Sequence, residues 1–306
     1  MKHQKIAFVV MLAIFAAAPL VVYPVFVMKL MCFALFACAF NLLIGFGGLL
    51  SFGHAMFLGT AGYAAAHSAK MWGFPPEAAI LFGAASAFLL AIVTGLLAIR
   101  RLGIYFAMIT LALAQMIFFF YLQAPFTHGE DGIQAVPRGM LFGFIDLSNI
   151  WAMYYTVFVV FLAGFLIIYR AIHSPFGQVL KAIRENEARA ISLGYDSVRY
   201  KFMAFVLSGT LAGLAGATKA LVFQLASLTD VHWTMSGEVV LMTLLGGLGT
   251  IFGPVVGAFI IITMENYLAQ LGAWVTIVQG AIFVVCVLTF RRGVVGEIAN
   301  FIKKPL

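Results

Sequence analysis

Long apolar runs, separated by short polar or glycine-rich connections, make up most of the chain. They occupy approximately residues 1–22, 29–45, 55–69, 78–99, 104–123, 151–169 and 202–223, with two more at 255–268 and up to Phe290. Continuous apolar runs of about 20 residues predict bilayer-crossing helices, whereas barrel strands would be shorter and alternating. The first run opens with Lys2 and Lys5 and reaches Ala16-Ala17-Ala18-Pro19. A signal peptide has similar features, but the length of this run, the proline and the next run close behind predict an uncleaved first helix.

Two stretches are too glycine-rich to continue a helix, Gly45 to His54 and Gly246 to Pro254. Basic residues at the N-terminus, at Arg100-Arg101 and in the polar stretch after the sixth run belong inside. The first seven runs alternate consistently with that placement. Splitting residues 237–268 at the second glycine stretch also brings Arg291, Arg292, Lys303 and Lys304 inside. Trp72, Trp151, Trp233 and Trp274 then fall at run ends, where interfacial aromatics belong. The expectation is an all-α polytopic membrane protein, one domain over 1–306. It has about ten crossings, including short glycine-broken segments, and both termini are cytoplasmic.

The polar stretch between the sixth and seventh runs, about 173–201, carries Lys181, Arg184, Glu185, Glu187, Arg189, Asp196, Arg199 and Lys201. Ser174 suits an N-cap, Pro175 a first helical position and Gly194 a left-handed close, so a helix over Pro175–Leu193 is predicted. On a helical wheel Phe176, Val179, Leu180, Ile183, Ala190 and Ile191 share one arc, and Lys181, Arg184, Glu185 and Arg189 the other. Arg184 and Glu187 are spaced to pair. Such a two-faced helix between spans suits docking by another protein; an amphipathic helix resting on headgroups has the same pattern.

Composition narrows the function. The chain is 64% hydrophobic and 9% charged, and its net charge of +7 follows from basic residues flanking spans rather than from nucleic-acid binding. Cys32, Cys38 and Cys286 lie in apolar runs without metal-ligand spacing, so neither a metal nor a cofactor is expected. The dipeptide Gly-Lys never occurs, which excludes a phosphate-binding loop, and Leu207-Ser208-Gly209 is a chance match to an ATPase signature inside a span. No catalytic carboxylate pair or HExxH motif is present, so the chain is not expected to be an enzyme. Paired broken segments point either to a transport pathway near the midplane or to close helix packing. Glu238, Glu265 and Lys219 lie near span ends, and His54 alone titrates beside a break, which disfavours an ion-coupled carrier. A channel or a secondary carrier stays as the alternative reading.

The stretch SPFGQVLKAIRENEARAISLGY resembles the cytoplasmic loop of the LivM-type permeases, membrane subunits of ATP-driven importers for branched-chain amino acids. The resemblance extends to GGLLSFGHAMFLGTAGY, to GIYFAMIT with Gln115, to THGEDG, and to residues 232–254, covering most of residues 30–300. His128 stands where the family commonly has glycine. The resemblance implies an ATPase-docking role for Arg184, Glu185, Asn186, Glu187, Arg189 and Gly194. It puts Asn41, Gly47, Gly48, Ser51, Gly53, His54, Thr110, Gln115, Gly246, Gly247 and Gly249 near the translocation pathway. Thr110 and Gln115, polar in an apolar helix, either bond across helices or face that pathway. Glu130, Asp131 and Gly132, in the connection over about 124–150, would meet a binding protein, although an ordinary surface turn fits them equally. The implied partners are a LivH-like second permease subunit, two ABC ATPase subunits, a periplasmic solute-binding protein and a small-molecule substrate, in a bacterial inner membrane.

Overall fold

A computed structural model describes residues 2–101, 103–268, 274–289 and 293–302. Thirteen helices are assigned there. They are α1 (Lys2–Ala17), α2 (Pro24–Asn41, continued by a π turn over Leu42–Phe46), α3 (His54–Met71), α4 (Pro76–Ala98), α5 (Ile104–Gln123), α6 (Ile150–His173), α7 (Pro175–Glu185), α8 (Glu187–Ser192), α9 (Ser197–Phe223), α10 (Trp233–Gly246), α11 (Gly253–Leu268), α12 (Trp274–Thr289) and α13 (Gly293–Ile302). Five of them, α2 with its π turn, α4, α5, α6 and α9, are long and apolar enough to cross a bilayer. The chain is an α-helical, multi-pass membrane protein. Arg291, Arg292, Lys303 and Lys304, used above for orientation, lie outside the described residues.

Burial separates two layers. In the most apolar part of α2, 89% of residues are buried, and in α9 78%, against 33% in α4, 22% in α5 and 39% in α6. α2 and α9 therefore form the centre, with α3 against α9, and the other three show apolar side chains to their surroundings. Small residues permit the close approach. Gly209, Gly213 and Gly216 of α9 face Ala91 and Ala87 of α4 and the backbone of α3, leaving no room for a Cβ at any of them.

The polar connection after α5 is not purely irregular and carries two short antiparallel pairings within the all-α fold. Strand β1 (Ile133–Gln134) pairs antiparallel with β4 (Leu225–Ala226), and β2 (Met140–Leu141) with β3 (Ile145–Asp146). Lys70 Nζ donates to Gln134 O at 2.8 Å, and Arg138 Nη2 to Val222 O at 2.8 Å. These ties fix the connection as a cap over one end of the bundle. His128 takes the left-handed conformation (φ 59°, ψ 24°) that glycine would occupy, one of the few non-glycine residues to do so.

The central stretch departs more. Instead of one helix over Pro175–Leu193 there are two, broken at Asn186 (φ −156°, ψ 98°), whose Oδ1 accepts from Arg189 N at 3.0 Å and so caps α8. The break shifts the register: Leu180, Ile183 and Ala190 are buried, but Ile191 is 53% exposed rather than on the inner arc. Ser174 holds the N-cap position without capping, because its hydroxyl donates to Ala171 O at 2.7 Å. Gly194 does close α8 (φ 89°), with Tyr195 N donating to Ala190 O at 3.2 Å and Gly194 N to Ile191 O at 2.9 Å, a Schellman arrangement.

Candidate functional site

Both glycine stretches are breaks, and the fold brings them together at the end of the bundle that carries α7 and α8. α2 closes in its π turn at Phe46, the chain turns at Gly48 (φ 69°), and α3 restarts at His54. α10 stops at Gly246, Gly247 (φ 122°) and Gly249 (φ 73°) reverse the chain, and α11 restarts at Gly253. Side-chain contacts join these breaks to each other and to the loop.

Asn41 spans the two breaks. Its Nδ2 donates to Thr250 O at 2.8 Å, and its Oδ1 accepts from Gly249 N at 3.0 Å. Gly249 and Thr250 are partly buried backbone after a helix end, and the side-chain amide gives Gly249 N an acceptor and Thr250 O a donor. Gly45 is equally constrained, since a Cβ there would stand 2.7 Å from Gly249 N.

The loop reaches the same place. Arg184 Nη1 donates to Gly45 O. A Cβ on Gly48 would stand 2.9 Å from Arg184 Cγ, and one on Gly249 3.4 Å from Arg184 Nη1. One turn earlier, Lys181 Nζ lies 5.4 Å from the centre of the Phe46 ring, and Leu180 is wholly buried beside Gly47. The polar face of α7 therefore touches the first break as much as its apolar face does.

The expected Arg184–Glu187 pair does not form. Glu187 accepts from Lys201 Nζ at 2.6 Å, and Lys201 is buried at the base of α9. The break at Asn186 turns Glu187 away from α7 and towards α9. Glu185, Asn186 and Arg189 are exposed beside Ile191, Leu193 and Tyr195, making a mixed polar and apolar outer face.

The start of α3 is buried and tied on three sides. Ser51 Oγ accepts from Gly53 N at 3.2 Å, Ala55 N donates to Ser236 Oγ of α10 at 2.9 Å, and Phe52 N to Thr110 Oγ1 of α5 at 3.2 Å. Thr110 thus accepts from the backbone of the first break, while Gln115 is partly buried a turn and a half further along. His54 has no exposed surface. Its Nε2 lies 2.8 Å from Ser208 Oγ, whose hydroxyl donates to Ala39 O at 2.5 Å, so Nε2 carries the proton. Phe40, Phe57 and Phe205 stand edge-on around the ring.

At the cap end, Glu130 and Asp131 are exposed in a single 3₁₀ turn, and Gly132 (φ 67°) is buried against the Ala226 carbonyl. The structure thus separates the expected residues into three places: the cap turn, the joined breaks, and the outer face of the loop. Sequence reasoning missed the ion pairs Lys29–Glu265 and Lys219–Asp230 near the cap end. Three charges in apolar helices, Lys29, Lys219 and Glu265, were the available signal.

A family model described as the permease component of the branched-chain amino acid transport system matches residues 25–287. The chain is 25% identical over 291 residues to the high-affinity branched-chain amino acid transport system permease protein LivM of Escherichia coli, covering 86% of this chain and 67% of that one. It is 33% identical over 138 residues to the ribose import permease protein RbsC of Bacillus subtilis, 42% of this chain and 43% of that one. It is 28% identical over 179 residues to the xylose transport system permease protein XylH of Escherichia coli, 54% of this chain and 44% of that one. No solved structure matches. With broken helices joined under a polar loop and a match spanning nearly every helix, the chain belongs to the family of permease components of branched-chain amino acid transport systems.

Proposed function

We propose that the chain is the transmembrane permease subunit of an ATP-driven importer that carries branched-chain amino acids across a bacterial inner membrane. In this reading it is a single permease domain with about ten crossings and both termini cytoplasmic. It works with a LivH-like second permease, two ABC ATPase subunits and a periplasmic binding protein, and ATP is hydrolysed on those partners.

One observation carries the reading: Arg184 of the loop bonds to the backbone of the first break and abuts the second. A movement imposed on α7 and α8 from outside the bundle reaches both interrupted helices through that side chain and Asn41. The exposed face of Glu185, Asn186, Arg189, Ile191 and Leu193 suits an ATPase surface, with Gly194 holding the turn behind it. The joined breaks, with Ser51, Gly53, His54 and Thr110 beneath them, border the pathway. The exposed turn at Glu130 and Asp131 offers the binding protein a contact.

The test is reconstitution of the chain with the second permease and ATPases encoded beside it, followed by uptake of labelled leucine, ribose and xylose. Leucine uptake that needs both ATP and the binding protein is expected. Sugar uptake alone, or leucine uptake without ATPase subunits, overturns the reading.

A further inference from the structure

α4 and α6 both pack on α9 and leave a groove between them, away from both glycine breaks. It encloses about 590 Å³ and is lined by Ile80 and Leu81 of α4, one face of α6 from Ala152 to Ala163, and Leu214 of α9. The hairpin of β2 and β3 roofs the cap end of the groove with Leu141, Phe142 and Ile145. Glu77, in the first turn of α4, is the one charged residue among the described lining. Phe142 N donates to its Oε1 at 3.3 Å, whereas Oε2 is enclosed and has no partner. Among the described residues Glu77 forms no ion pair.

Depth decides what the groove suits. Trp151, an exposed aromatic at the start of α6, immediately precedes Ala152, which puts the mouth at headgroup level. The hairpin beside it exposes Phe142 (67%) and Phe144 (92%), apolar side chains that a membrane surface accommodates better than water does. From Ala152 to Ala163 α6 rises about 16 Å, close to half of a hydrocarbon core about 30 Å thick. A transmembrane helix of a partner would need a groove about twice that length. One acyl chain of a single leaflet needs this length and no more. At the mouth, the Glu77 carboxylate repels an anionic headgroup and has lone pairs to spare for one that donates N–H bonds. Its terminal torsion is broad, so a small turn of the carboxylate presents Oε2 to that donor.

We propose that this groove is a lipid site in the leaflet on the cap side, holding one acyl chain of a phospholipid whose primary ammonium headgroup bonds to Glu77. The lipid phosphate stays in interfacial water beyond the hairpin, so Glu77 meets the ammonium and the apolar lining meets the chain.

The experiment uses the full chain, purified in detergent, stripped of lipid and offered an equimolar mixture with identical acyl chains. The mixture holds phosphatidylethanolamine, its N,N-dimethyl derivative, phosphatidylcholine and phosphatidylglycerol, and native mass spectrometry reads which lipid is retained. Retention falls along the methylated series as N–H donors are lost. Phosphatidylethanolamine leads phosphatidylcholine and phosphatidylglycerol by about fivefold or more, as one charge-assisted hydrogen bond requires. Glu77→Gln keeps an acceptor for Phe142 N and brings the four lipids to within about twofold of one another. Ala163→Phe fills the inner end of the groove and lowers retention of the preferred lipid by a similar factor. Equal retention of all four lipids by the wild type marks an ordinary surrounding lipid and overturns the inference. An unchanged preference in Glu77→Gln overturns it as well. Should that variant fail to fold, Ala163→Phe decides, because a preference that survives it puts the lipid elsewhere. Disulfide crosslinking of a cysteine at Val159 to a second permease subunit in the assembled transporter shows that protein covers the groove, and also overturns the inference.

Discussion

Arg184 donates to the carbonyl of Gly45, joining residues 139 positions apart across the boundary between the loop and the bundle. The bond ends on a backbone oxygen in the last turn of the helical run that begins with α2, where carbonyls lack intrahelical partners. Arg184→Ala removes the link while leaving α7 a good helix former. Leucine uptake is expected to fall several-fold with the amount of transporter in the membrane near normal. Uptake equal to wild type would show that the loop and the breaks move independently.

Asn41 satisfies one donor and one acceptor of the second break at once. Asn41→Leu is close in volume and leaves Gly249 N and Thr250 O without partners, at a cost of about 1–3 kcal/mol for each group that water cannot reach. A clear drop in thermal denaturation temperature in detergent is expected. Gly45→Ala should do the same, because its Cβ would crowd both Asn41 Oδ1 and Gly249 N and so disturb the same contact. Unchanged melting of both variants would show that the breaks are not held against each other.

Glu187 and Lys201 pin α8 to the base of α9. Burial raises the Glu187 carboxyl, but hydrogen bonds from Lys201 and Ser197 and the Lys201 charge outweigh it, so the group titrates below its ordinary range. The unfolded loop therefore takes up a proton more readily than the folded one. The stabilisation is complete above the ordinary glutamate value of about 4.3 and disappears as pH falls through the lower folded value. Amide exchange over residues 187–195 should accelerate in that acidic window beyond its intrinsic pH dependence. Glu187→Gln should remove the extra dependence; identical profiles for both proteins would exclude the pair as its source.

Gly194 has open space around its Cα, so strain at φ 89° is the one obstacle to a side chain there. Gly194→Val should unwind the end of α8 and reduce co-purification of ATPase subunits, with insertion unaffected. Full ATPase retention would remove the turn from the docking surface.

The crossing pattern predicts opposite sides for the cap and the last helix. A single cysteine at Glu130 should react with an impermeant thiol reagent added from the periplasm, and one at Glu297 only after permeabilisation. Reaction of both from outside would reverse the placement of α10 and α11.

The positions of the apolar helices, both glycine breaks and the left-handed turn at Gly194 were legible in the sequence. Each depends on local chemistry: length of an apolar run, the conformational freedom of glycine, the capping of a helix end. The family was legible too, because its motifs are short and contiguous. What the sequence left open was every choice of partner between distant segments. Spacing along one helix matched Glu187 with Arg184, but Asn186 ends that helix, and α9 offers Glu187 a buried lysine instead. Arg184 was then free to reach Gly45, whose carbonyl is an acceptor because the helical run of α2 ends there. Lys29 and Glu265 stand 236 positions apart, and only the packing of α2 against α11 makes them neighbours. Local propensity acts over a few residues, whereas an unpaired charge or carbonyl in an apolar bundle takes whichever partner the packing brings within reach.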